Sequence, residues 1–207
     1  SQGRIQAIES SGARVVVVDG NYDDAVRQVY QDAQQNGWEV VSDTAWEGYE
    51  DIPKWVMQGY ATMFSEVQEQ LVVQGLSQPT HIFVQAGVGS LAAATIGFYR
   101  NQFRDSIQTC VIEPTKAACL YRSAQAEDGQ PHTVEGDLDT IMAGLACGEP
   151  NPIAWKILKD RADYFAICPD FVAALGMRVY GVPLQGDPVV IAGESGAVTL
   201  GALMYIM

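Results

Sequence analysis

The chain has 207 residues, 48% of them hydrophobic, with 20 glycines and 9 prolines, which is enough for one sizeable core and excludes fibrous and disordered classes. A formal net charge of −13 argues against a nucleic-acid partner, since binding a phosphate backbone needs clustered Lys and Arg. It leaves open a small anion held by backbone amides at a helix N-terminus.

Taken in order, residues 1–11 (SQGRIQAIESS) have a helical pattern, with Ile5 and Ile8 on one face. The run 14–19 (RVVVVD) reads as a buried strand, and residues 23–36 as a helix closed by Gly37. A second strand is expected at 38–42, a loop at 43–52, and a long helix opened by Pro53 and running to about residue 74. The run 81–85 (HIFVQ) is the third strand and leads through AGVGS into a helix, with a fourth strand at 109–113 stopped by Pro114. Residues 123–136 read as a surface excursion. Helices at 152–161 and 170–175 flank a short strand at 164–168, and a last strand at 188–192 precedes a buried helix at 193–207. Strands that alternate with helices predict an α/β fold, an open and mostly parallel sheet layered by helices on both sides. The chain reads as a single domain over 1–207, and both ends read as cuts through a larger fold.

No leader and no apolar run of bilayer length is read, so no membrane partner is expected. Cys110, Cys119, Cys147 and Cys168 form no CxxC pair and have no histidine at metal-ligand spacing, so no metal is expected. His81 and His132 read as surface or strand-edge residues. Reduced thiols place the chain in the cytoplasm.

The strongest chemical signal is QAGVGSLAAA at 85–94, lying directly between a strand and a helix. Gly87 and Gly89 allow a sharp turn that exposes the amides of Gly87, Val88, Gly89, Ser90 and Leu91, and Ser90 offers a hydroxyl. The helix dipole adds a field that favours an anion, so this turn is the expected phosphate cradle. The same residues fit a dinucleotide fingerprint, with Glu113 closing the next strand as a ribose-binding acid. Against that rival, two strand–helix units precede the turn, whereas such fingerprints sit on the first strand.

The stretches GWEVVSDTAWEGYEDIPKWVMQGYAT, PTHIFVQAGVGS, TIMAGLACGEPNP and DPVVIAGESGAVTLG decide between them. They resemble the diaminopropionate ammonia-lyase family, fold-type II pyridoxal-phosphate enzymes of the tryptophan synthase β-like superfamily. The resemblance runs the length of the chain. It implies a homodimer with pyridoxal phosphate as cofactor and β-elimination of a small amino acid, 2,3-diaminopropionate, to pyruvate and ammonia. It implies Asp43 as the site carboxylate that takes the α-proton of the D-substrate or assists the β-amine, with Trp46 and Tyr49 lining the pocket. Glu194 and Ser195 become contacts for the cofactor ring, or simply a helix cap. Cys119 and Cys147 become a pair for a disulfide or thiol switch, with two half-buried thiols as the plainer reading, and Glu113 becomes structural.

One departure counts against activity of this chain by itself. Lys54, Lys116, Lys156 and Lys159 stand in contexts unlike the family's NAFKMLGG segment, whose lysine anchors the cofactor, and the family's DGNHG-like loop is also unmatched. On the resemblance, this chain is the greater part of the large cofactor-binding domain, with the smaller domain largely absent. A non-catalytic phosphate-binding module and a related serine, threonine or cysteine lyase are the competing readings.

Overall fold

The computed structural model describes residues 2–207, without the side chain of Asp105. The chain separates into two compact units, residues 1–40 and 41–207. In the first unit, α1 spans Gln2–Glu9 and α2 spans Tyr22–Asn36. A reciprocal capping box starts α2, in which Asn21 accepts from the Asp24 amide while the Asp24 carboxylate accepts from the Asn21 amide. Gly37 ends it, as the periodicity predicts.

In the second unit, α3 (Asp51–Val73) begins two residues before the expected Pro53. Proline is harmless there because the amides of a first helical turn have no intrahelical partner. The sheet is made by β1 (His81–Gln85), β2 (Gln108–Pro114) and β3 (Tyr164–Cys168), all parallel, in the order β1-β2-β3. Between them run α4 (Ser90–Phe103), α5 (Cys119–Gln125) and α6 (Pro152–Arg161). Then follow α7 (Asp170–Gly181) and α8 (Glu194–Ile206).

Strand side chains alternate between two cores, as a two-residue period requires. Val84 and Val111 pack with Ala92, Ile96, Ala154 and Leu158 of α4 and α6. Ile112 turns to the opposite face, with Val172 and Ala173 of α7 and Val198 and Ala202 of α8. The result is helices on both faces of a parallel sheet, the α/β architecture expected. At the end of the sheet away from the glycine turn, Arg100 donates to the carbonyls of Arg161 and Arg104 and pairs with Asp163. Asp163 also accepts from the Thr109 amide and hydroxyl.

Three expected strands do not form: 14–19, 38–42 and 188–192 carry no ladder among the described residues. Their β-branched composition favours an extended chain, but a strand also needs a neighbouring backbone to pair with. Their side chains are correspondingly open, Val17 at 73% and Ile191 at 97% of full exposure. The expected excursion at 123–136 starts inside α5, and Ser123 is buried, donating to the Cys119 carbonyl and accepting from the His132 amide. His132 itself pairs with Asp128 through Nε2, at 2.9 Å. Helix α7 runs six residues past the expected stop at 175, because Gly176 is a packing glycine rather than a terminator.

Candidate functional site

The chain leaves β1 with the Ala86 amide still bonded to the Ile112 carbonyl at 2.9 Å, then turns. At Gly87 the opposite wall is close: a Cβ would lie 2.9 Å from Cys147 Sγ and 3.2 Å from the Gly144 carbonyl oxygen. Gly89 has a φ of +103°, a conformation glycine adopts without steric cost, and it caps α4. Backbone pairing resumes only at Ala93, which donates to the Gly89 carbonyl at 2.8 Å. Among the described residues, no acceptor takes the amides of Gly87 to Ala92 between those points. A 14-residue helix thus starts on a row of unmatched donors, with Val88, Gly89 and Ser90 buried. Such a cradle fits a phosphate dianion without a basic side chain.

The Ser90 hydroxyl is not turned toward that row. It donates to the Asp43 carbonyl oxygen at 2.6 Å, so Ser90 offers an anion its amide and not the expected hydroxyl. Asn151 closes the figure: its carboxamide nitrogen donates to the Asp43 carbonyl oxygen at 2.8 Å and to Ser90 Oγ at 2.9 Å. Its amide donates to the Val88 carbonyl at 2.8 Å, and its Oδ1 caps α6 by accepting from Ile153 and Ala154. The segment carrying Asp43 is thereby brought against the N-termini of α4 and α6. Burial raises the Asp43 carboxyl above its ordinary value, with its own amide pulling the other way.

Trp46 and Tyr49 stack on each other with centroids 4.2 Å apart, across an isolated antiparallel bridge. The Tyr49 hydroxyl accepts from the Ser42 amide, closing residues 42–49 into a loop that packs on itself. Tyr60 of α3, absent from the sequence reading, has its phenol raised by burial and then by the Asp43 charge. Glu194 and Ser195 do begin α8, but its cap is Gly193, and Ser195 Oγ abuts Gly144. Cys119 and Cys147 both approach Gly87, Cys119 Sγ facing its carbonyl at 3.7 Å and Cys147 Sγ lying 2.9 Å from where its Cβ would be. Both are buried rather than half-buried, and all four cysteines are thiols. Asn151 and Tyr60 were the functional-site candidates missed. For Asn151, the Asn-Pro pair ahead of an apolar period was the available signal, since it marks a helix cap.

Glu113 is 0% exposed, and its two oxygens accept from the Leu120 and Tyr121 amides at 2.9 and 2.6 Å. It is spent on the start of α5, which removes the ribose-binding acid from the dinucleotide reading. Burial pushes its carboxyl up to about 8, against the pull of those two amides. The folded state therefore keeps a proton that the unfolded chain releases near its ordinary carboxyl value. Stability from this group is complete below that value and is lost as pH rises to about 8. Urea midpoints are expected to fall between pH 5.5 and 8, with Glu113→Gln flattening that slope; parallel slopes would contradict it.

The pyridoxal-phosphate dependent enzyme family model matches residues 1–206. The chain belongs to the pyridoxal-phosphate dependent enzyme family. Diaminopropionate ammonia-lyase of Escherichia coli (strain K12) is 52% identical over 207 residues, covering 100% of this chain and 51% of that protein. The enzyme of the same name from Salmonella typhimurium (strain LT2) is 48% identical over 206 residues, 99% of this chain and 51% of that protein. The chain spans about half the length of the curated relatives it matches. The crystal structure of the Escherichia coli enzyme in complex with an aminoacrylate-PLP azomethine reaction intermediate aligns with a TM-score of 0.92 at 50% identity. That alignment covers 100% of this chain and 52% of that one. Maize serine racemase, 19% identical with a TM-score of 0.77, shares the fold. For a pyridoxal-phosphate dependent enzyme, the row of amides from Gly87 to Leu91 matches what the cofactor's phosphate requires.

Proposed function

We propose that this chain is the greater part of the large, cofactor-binding domain of an enzyme that eliminates ammonia from 2,3-diaminopropionate, giving pyruvate and ammonia. The observation that carries the reading is a carboxylate raised by burial whose own backbone is tied to the phosphate cradle through Ser90 and Asn151. Bound pyridoxal phosphate supplies the electron sink that acidifies the substrate α-carbon. The amides of Gly87, Val88, Gly89, Ser90 and Leu91 hold its phosphate. Asp43 takes the α-proton of the D-substrate or assists departure of the β-amine. Trp46 and Tyr49 would shape the pocket wall, and Glu194 and Ser195 would supply contacts to the cofactor ring.

The lysine that anchors the cofactor is assigned to none of Lys54, Lys116, Lys156 or Lys159. The intact protein is proposed as a cytoplasmic homodimer; among the described residues no helix is long and apolar enough to cross a membrane. The test is release of pyruvate from D- and L-2,3-diaminopropionate by the intact holoenzyme, with D-serine and L-threonine as rival substrates. Turnover of serine or threonine alone would favour the related-lyase reading, and no turnover with cofactor bound would favour the binding module. Cys119 and Cys147, which both approach Gly87, are the proposed redox pair. Non-reducing peptide mapping after mild oxidation is expected to recover them linked, and recovery only as separate thiols would end that proposal.

A further inference from the structure

The Asp43 carbonyl oxygen, the Ser90 hydroxyl and the Asn151 carboxamide nitrogen form a closed three-sided clasp, joined by bonds of 2.6, 2.8 and 2.9 Å. Both lone pairs of the Asp43 carbonyl are used, as are both carboxamide protons of Asn151. Asn151 is 0% exposed and Ser90 1%, so their side-chain polar atoms have no water as a substitute partner. Capping α6 needs only the Oδ1 of residue 151, and aspartate caps as well as asparagine. What aspartate cannot do is donate. At position 151 it would turn a carboxylate oxygen on the Asp43 carbonyl and on Ser90 Oγ, two groups that now receive protons.

The segment attached by the clasp is already closed on itself by the Trp46–Tyr49 stack and the Tyr49–Ser42 bond, so it can shift as a unit. We propose that Asn151, acting with Ser90, is a positioning residue that sets where the Asp43 carboxylate stands relative to the phosphate cradle. The inference rests on the reading of Asp43 as the acid–base group. Misplacing such a group by about 1 Å costs on the order of 100-fold in rate, while the α4 amides that hold the phosphate are left in place.

The experiment compares Asn151→Asp and Ser90→Ala with Asp43→Asn in the intact holoenzyme, using D- and L-2,3-diaminopropionate, and adds a pyridoxal phosphate titration followed by tryptophan fluorescence. Asn151→Asp is expected to lower kcat by roughly 10–100-fold for the enantiomer that Asp43→Asn suppresses, with KM and the other enantiomer less affected. Cofactor affinity should change by less than about threefold, because no phosphate donor is lost. The acid limb of the pH–rate profile should move toward the ordinary carboxylate range as Asp43 gains water. Ser90→Ala keeps the Asn151–Asp43 bond and should show the same selectivity at smaller size, which keeps the test alive if Asn151→Asp does not fold. Equal losses for both enantiomers, or losses that track weaker cofactor binding, would make the clasp merely structural and overturn the inference alone. Unchanged turnover in Asp43→Asn would remove the parent reading and this inference with it.

Discussion

Gly201→Ala is expected to destabilise the fold by about 3 kcal/mol or more, seen as a large drop in the thermal or denaturant midpoint. Helices α7 and α8 cross at backbone distance. A Cβ on Gly201 would overlap the Val172 carbonyl oxygen and lie 3.1 Å from the Gly176 amide nitrogen. A Cβ on Gly176 would overlap the Ala197 carbonyl in the same way. The obstacles are backbone atoms, so no rotamer change relieves them and one helix must move bodily. Val172, Ala173, Val198 and Ala202, which bury the second core, would then lose their fit. Gly97 in α4 is the control: its added Cβ meets only Ile157 Cγ2 at 3.9 Å. Gly97→Ala is therefore expected to be neutral, or to stabilise by up to about 1 kcal/mol through helix propensity. Equal midpoints for Gly201→Ala and the parent would contradict the close crossing.

The same pair of helices shows how far pattern reading reaches. The sequence reading placed helices at 170–175 and 193–207, where α7 and α8 stand, and the three paired strands because each is a short apolar run bounded by turns. It ended α7 early because a glycine in sequence does not say whether it stops a helix or lets another helix approach. Residues 14–19, 38–42 and 188–192 failed for a related reason. A β-branched run specifies an extended preference, while a strand is a relation between two backbones and is not written in either one alone.

The site divides along the same line. The glycine turn was legible because it is local, with a strand before and a helix after. The role proposed for Asp43 comes from resemblance, with partial support from its place after a run expected to be a strand. The clasp was not legible, since Asp43, Ser90 and Asn151 are separated by 47, 61 and 108 positions and meet through folding. Glu113 is the instructive intermediate. Its place at the end of a strand fits a ribose acid, the resemblance makes it structural, and its two bonds to the first turn of α5 give the physical reason.

Asp43→Asn in the holoenzyme is expected to lower turnover of at least one enantiomer of 2,3-diaminopropionate by about 10²–10⁴-fold with cofactor still bound. Asparagine has nearly the same shape, and the Asp43 contacts that build the clasp use its backbone carbonyl, so Ser90 and Asn151 keep their partner. What changes is the capacity to accept a proton. Burial raises the Asp43 carboxyl and so strengthens the carboxylate as a base compared with one in water. Because a base must be ionised to act, kcat/KM for the affected enantiomer should fall as pH drops through a value above the ordinary carboxylate range. That limb should vanish in Asp43→Asn, leaving a flatter, lower profile. Tyr60 offers a check on the same field: the Asp43 charge contributes to raising its phenol, so Asp43→Asn should lower the Tyr60 titration in an ultraviolet pH titration. A phenol that moves while both enantiomers turn over unchanged would show that Asp43 keeps its field but has no acid–base task, which would leave the proton transfer to a group elsewhere in the enzyme.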